Sequence, residues 1–142
     1  MAEKQVFGQQ NATLKAMGGE AGIERLVDRF YLIMDSVDYA RHIRSMHPED
    51  LSLAREKLTT FLVGWMGGPR RYVRKFGSIS IPGSHAHFVI TEADRDAWLK
   101  CMQDALLKQG HEKEVSEYLL RQLAMPAQRI VEASAAYAAS RA

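Results

Sequence analysis

Six side chains, Ile23, Leu26, Val27, Phe30, Tyr31 and Met34, follow one another at steps of three, one, three, one and three residues. That rhythm draws a continuous apolar stripe along one face of an α-helix, and it does not fit a strand, whose faces alternate at every residue. A helix with so full a stripe is stable only when other elements cover it. The rest of the chain must therefore supply matching apolar faces.

It supplies them as further helices. Ahead of the stripe, a short apolar turn at Leu14 to Met17 ends in Gly18-Gly19, a pair suited to a helix stop and a sharp redirection. After it, Tyr39 to Met46 has poorer periodicity and leads to His47-Pro48-Glu49-Asp50, where the proline and acids suit a first helical turn. The pattern then predicts a helix from about Glu49 to Met66, with Leu51, Ala54, Leu58, Phe61, Leu62 and Trp65 on one face, stopped by Gly67-Gly68-Pro69. Thr91-Glu92-Ala93-Asp94 has the form of a capping box with Asp as the acid, opening a helix that carries Ala97, Trp98, Cys101, Met102, Ala105 and Leu106 to Gly110. A last helix from about Glu112 towards Ala139 turns Val115, Tyr118, Leu119, Leu123, Ile130 and Val131 inward, with a bend expected at Met125-Pro126.

Between Arg70 and Ile90 lies a long, mostly irregular stretch, with one helical turn at Tyr72 to Phe76 and a weak strand signal at Ser78 to Ile81. Loops of that length in a small domain are functional or disordered, and the aromatic and aliphatic content here argues against disorder. The expected fold is all-α, with four substantial helices forming two antiparallel pairs that cross. A polar, aperiodic start sets residues 1–13 apart as a flexible N-terminal extension, leaving residues 14–142 as one domain. At 142 residues a single domain buries roughly two-thirds of its unfolded surface and needs no staple.

Charge and composition narrow the function. Nineteen basic residues against 17 acidic ones leave +2, too small an excess for a nucleic-acid partner. The one basic cluster, Arg70-Arg71-Tyr72-Val73-Arg74-Lys75, reads either as a solvated turn or as an anion-facing patch. Apolar runs such as Phe61-Leu62-Val63 are far too short to span a bilayer. A single cysteine, Cys101, and no apolar signal sequence point to a cytoplasmic setting.

The chemistry-bearing residues are few. His85 stands in Pro82-Gly83-Ser84-His85-Ala86-His87-Phe88, inside the long loop, and taken alone it is either a hydrogen-bonded loop histidine or a metal ligand. His85-x-His87 also forms a potential chelating pair, although a zinc site needs further ligands and the one cysteine is far off in sequence. Tyr31 and Trp98 both fall on inward faces, where each polar hydrogen needs a partner. Helical bundles place ligands between facing helices, and an axial histidine is one way proteins hold haem iron.

With those residues in view, the chain resembles the truncated haemoglobins of group II, the short two-on-two globins, from about Met17 to Ser134. The resemblance is carried by Gly18-Gly19, Phe30-Tyr31, Pro48-Glu49-Asp50, Phe61-Leu62 running into Gly67-Gly68-Pro69, His85-Ala86-x-Phe88-x-Ile90 and Asp96-Ala97-Trp98-Leu99-x-Cys101-Met102. It implies a globin-like haem-binding domain over residues 14–142, with haem b as cofactor and His85 as the proximal iron ligand. It implies Tyr31 and Trp98 as distal hydrogen-bond donors, Leu58 facing the distal side, and Phe61 and Phe88 packed on the porphyrin. Ala54 would sit where longer globins keep a distal histidine, leaving an apolar route to the ligand.

At the end of the bend before the distal helix the family places Phe, Tyr or sometimes His, and this chain has His47. The resemblance allows it to be a third distal donor or a sixth iron ligand; the alternative is a surface histidine ahead of Pro48. Many family members carry Arg directly before the proximal histidine and Pro two residues after it, where this chain has Ser84 and His87. Pairing with the haem propionates would then pass to Arg71, Arg74 or Lys75, with Tyr72 among them at the haem edge.

The resemblance implies reversible binding of oxygen, or of nitric oxide or carbon monoxide, as in oxygen transport. A haem-dependent peroxidase or nitric oxide detoxification activity is the enzyme alternative, served by an unidentified reductase. A helical module using its basic patch on an acidic partner is the non-haem alternative. No nucleic acid or membrane partner is expected, and the assembly is a monomer or a homodimer.

Overall fold

The computed structural model describes residues 11–69 and 90–140. Six α-helices and one 3₁₀ turn account for most of them: α1 (Ala12–Ala16), α2 (Gly19–Ser36), the 3₁₀ turn Asp38–Ala40, α3 (Arg41–Ser45), α4 (Ser52–Trp65), α5 (Glu92–Gln109) and α6 (Lys113–Ser140). No strand occurs among the described residues. Helix α2 packs on both α4 and α5, and α5 packs on α6. Two helix pairs, α2 with α4 and α5 with α6, thus meet along α2 and α5, the two-on-two sandwich expected from the sequence.

The stripe on α2 is what the two pairs close upon. Ile23, Leu26, Val27, Phe30, Tyr31 and Met34 are all buried, facing Met102, Ala105 and Leu106 of α5 within one core cluster. Each such aliphatic or aromatic side chain contributes roughly 1.5–3 kcal/mol when fully removed from water. Helix α6 adds Val115, Leu119 and Leu123 and runs through Pro126 as one helix.

Turn chemistry sets how the helices enter the sandwich. Gly18 and Gly19 take φ of +89° and +72°, a left-handed pair that lets α2 leave α1 abruptly. Three residues on, Gly22 rests against the Met17 carbonyl, where a Cβ would fall 1.9 Å from the oxygen. At the far end of α4, Gly67 is left-handed at φ +98° and the Gly68 N–H caps the Val63 carbonyl at 2.8 Å. Helix α5 opens with the expected capping box, Thr91 and Asp94 exchanging side-chain and backbone bonds, and closes at Gly110.

The start of α4 differs from the sequence reading. The helix begins at Ser52, three residues after the expected Glu49, because Asp50 folds its carboxylate onto the Ser52 N–H (2.9 Å) and hydroxyl (2.7 Å). An Asx-type turn of this kind competes with helix for the same backbone donors. Tyr39 to Met46, poorly periodic in sequence, proves to be the 3₁₀ turn followed by the single-turn helix α3. The first helix begins at Ala12 and buries Thr13. The turn expected at Tyr72 to Phe76, the strand signal at Ser78 to Ile81 and most of the expected long loop lie outside the described residues.

Candidate functional site

Tyr31 is the next-to-last side chain of the α2 stripe, and burial pushes its phenol pKa well above the ordinary tyrosine value, with the Arg55 guanidinium pulling weakly the other way. It is an O–H donor at every physiological pH. Among the described residues that donor reaches only the Ala54 carbonyl, at 3.5 Å, the outer limit of a hydrogen bond. A buried hydroxyl so loosely engaged can turn to a better acceptor beside it.

Three more rings adjoin it. Phe30 meets Tyr31 edge-on at 5.0 Å between centroids and Trp98 at 5.1 Å, while His47 meets Tyr31 edge-on at 5.8 Å. Trp98, half-buried on α5, makes no side-chain hydrogen bond among the described residues, so its ring brings a second N–H donor next to Phe30. Tyr31, His47 and Trp98, drawn from three separate parts of the chain, form one aromatic group with Phe30.

His47 is held from behind. Its Nδ1 lies 2.8 Å from the Ile43 carbonyl, and because a carbonyl only accepts, Nδ1 carries the proton. Neutral His47 therefore keeps its lone pair on Nε2, and only the imidazolium has an N–H there. The two roles expected for this residue belong to different protonation states.

Helix α4 supplies an apolar wall with an unusual profile. Only Leu62 and Val63 are fully buried within it, whereas Ala54, Leu58 and Phe61, at steps of four and three residues, are half-buried and Trp65 stacks on Phe61 at 6.4 Å. A helix whose apolar line packs on the core yet remains partly open leaves a surface that a flat apolar group would cover. These features fit a haem: two buried or half-buried donors with no strong acceptor, beside an apolar line.

His85, Arg71, Tyr72, Arg74, Lys75, Phe88 and the His85-x-His87 pair lie outside the described residues. At Ile90, the first described residue beyond them, the N–H donates to Ser134 Oγ of α6 at 2.9 Å. Among the described residues no group of three or more His, Cys, Asp or Glu is placed to hold a metal ion, and no helix is long and apolar enough to cross a membrane.

Comparison with known proteins decides the family. The family model for bacterial-like globins matches residues 13–131. The chain belongs to the bacterial-like globins. Among curated relatives, the group 2 truncated hemoglobin YjbI of Bacillus subtilis is 35% identical over 121 residues, covering 85% of this chain and 89% of that protein. Among solved structures, the group II 2-on-2 hemoglobin of Agrobacterium tumefaciens superposes with a TM-score of 0.80 at 31% identity, covering 92% of this chain and 97% of the other. The cold-adapted truncated hemoglobin of Pseudoalteromonas haloplanktis gives the same TM-score of 0.80 at 33% identity over 84% of this chain and 96% of its own. A truncated oxygen-avid haemoglobin from Bacillus subtilis reaches 0.76 at 34% identity over 84% and 98%. The globin is thus a truncated haemoglobin of group II, and haem binding with a diatomic gas ligand follows from that membership.

Two contacts of this globin escaped the sequence reading. His42 lies 2.6 Å from Asp94, and the Tyr39 hydroxyl donates to Asp104 at 2.7 Å. Both join the segment after α2 to α5 across a wide gap in sequence, and spacing along the chain carries no signal for them.

Proposed function

We propose that this globin binds oxygen reversibly at haem b through residues 14–142, with His85 as proximal ligand and Tyr31, Trp98 and His47 holding the gas. The observation that carries the reading is the pairing of two under-satisfied donors, Tyr31 O–H and Trp98 N–H, around a shared Phe30 beside the half-open line of Ala54, Leu58 and Phe61. Haem, when bound, supplies an iron that takes up a diatomic gas and leaves partial negative charge on it. Everything else is done by the chain.

Phe30 fixes the directions of the two donor rings by packing against both. Tyr31 releases the long bond to Ala54 and donates to the gas, losing little because the bond it gives up is weak. Leu58 and Phe61 exclude water, so each new bond is made in a low dielectric and gains strength. The small Ala54 side chain leaves the approach to the ligand apolar. Arg71, Arg74 or Lys75, with Tyr72 among them, would pair with the propionates, and Phe88 would pack against the porphyrin. One of the Bacillus subtilis relatives is an oxygen-avid haemoglobin, which agrees with a pocket built from donors.

A hydrogen bond to a partly charged ligand is worth about 1.5–3 kcal/mol. Replacing Tyr31 or Trp98 by Phe should then speed oxygen release roughly 10- to 100-fold if the loss appears in the off-rate. The test is the absorption spectrum of purified protein with added haem, beside that of His85→Ala. A strong Soret band altered by the substitution is expected. No Soret band, or one that His85→Ala leaves untouched, overturns the assignment.

A further inference from the structure

Helix α5 carries, beyond Trp98, a second polar cluster that oxygen binding does not use. Tyr39, half-buried at the 3₁₀ turn, donates its hydroxyl to Asp104 Oδ2 at 2.7 Å. Lys100 Nζ lies 4.5 Å above the same ring, and the buried Cys101 thiol interacts with the hydroxyl. Trp98, Cys101 and Asp104 stand at i, i+3 and i+6, so successive turns of one helix lead from the distal aromatic group to Tyr39. The route ends beside an exposed lysine.

We propose that Tyr39 is a redox-active tyrosine that delivers electrons from an external donor to the haem site through the α5 side chains, with Asp104 as its proton acceptor. This rests on the haem reading above. A phenol loses an electron readily only if its proton can leave at the same moment, and a carboxylate at hydrogen-bond distance is the group that takes it. Burial and the bond to Asp104 hold the Tyr39 phenol protonated far above neutral pH, so the coupled route is the one open to it. Burial also pushes the Cys101 thiol up to about 11, which keeps it from forming the thiolate that oxidants attack first.

The oxidant is hydrogen peroxide. Its reduction breaks the O–O bond, consumes two electrons and two protons and yields two waters, the protons coming from solvent. Tyr39 supplies the electrons one at a time. In each cycle its O–H bond breaks, the electron leaves towards Trp98 and the haem site, and the proton passes to Asp104 Oδ2. A neutral phenoxyl radical faces a carboxylic acid. A small one-electron donor such as ascorbate then returns an electron, itself oxidised by one, and Asp104 returns the proton. Two cycles match one peroxide.

The experiment traps the radical. Haem-loaded ferric protein is mixed with hydrogen peroxide and a nitroso spin trap, digested, and the adducts located by mass spectrometry, with freeze-quench electron paramagnetic resonance in parallel. The adduct is expected on Tyr39, and the tyrosyl signal should fall at least five-fold in Tyr39→Phe while persisting in Tyr118→Phe. Asp104→Asn, which keeps the shape and removes the proton acceptor, should lower the yield several-fold, and Asp104→Glu should restore it. A Soret band together with adducts only at other residues, or a signal undiminished in Tyr39→Phe, overturns the proposal and leaves the haem reading standing. Absence of the Soret band overturns both.

Discussion

Asp94 joins two helices with one carboxylate: Oδ1 lies 2.6 Å from His42 Nδ1 of α3, and Oδ2 accepts the Thr91 N–H at 2.9 Å and its hydroxyl at 3.0 Å. Burial acts against the charged carboxyl, but the Thr91 and His42 donors outweigh it and hold the Asp94 pKa below the usual range. The short segment that holds His47 is thereby fastened to the helix that holds Trp98.

A depressed carboxyl pKa contributes stability above the unfolded value, about 3.9, and loses it as pH falls through the folded one. Asp94→Ala should therefore cost about 0.5–2 kcal/mol at pH 7, the range for losing a helix cap. The gap between variant and parent in denaturant titrations should narrow as the pH falls below the unfolded value and through the lowered folded one. A gap of constant size from pH 7 to pH 2 would show that the carboxylate charge has no part in it.

The two neighbouring glycines at the start of α2 should respond in different ways to one added methyl. Gly22→Ala places a Cβ 1.9 Å from the Met17 carbonyl oxygen, so the turn or the helix must move, at a cost of about 1–3 kcal/mol or more. Gly19→Ala meets no atom within 4 Å and bears only the strain of φ +72°, about 1–2 kcal/mol. Because α2 carries Tyr31, only Gly22→Ala should also shift the near-ultraviolet circular dichroism of the buried rings. Equal spectra for both variants would refute the close approach.

His47 offers a lone pair when neutral, yet its Nδ1 bond to Ile43 anchors the ring to α3. Reduced, ligand-free protein loaded with haem should accordingly give a five-coordinate, high-spin spectrum that His47→Phe leaves in place. A low-spin spectrum in the parent that becomes high-spin in His47→Phe would instead make His47 the sixth ligand.

Local chemistry made much of this architecture readable in advance. The α2 stripe named six side chains that are all buried, and Thr91 with Asp94 announced a capping box that forms. Both depend on residues within a few turns of one another. The shift of α4 to Ser52 was hidden because Asp50 prefers its own two-residue turn to the helix that Pro48 invites. Tyr39 with Asp104 and His42 with Asp94 were invisible for another reason: such partners are chosen by how α5 lies across α2 and α3, and periodicity says nothing about crossing. The candidate site was legible only in part. Tyr31 lies beside His47 and Phe30 beside Trp98, which supports the distal roles proposed for them, while the residues proposed between 70 and 89 fall outside the described residues.

Helix α5 also acts as a ruler. From Asp94 to Asp104 it advances roughly 15 Å at 1.5 Å per residue, and on that length it sets three distances at once: to His42, to the rings around Phe30, and to Tyr39. Adding one residue between Trp98 and Cys101 would turn everything beyond it by about 100°. The Asp94 clasp and the indole would keep their places, while Cys101 and Asp104 swung away from Tyr39. A substitution on α5 disturbs one of these contacts, whereas a change of length in that span would break two at once.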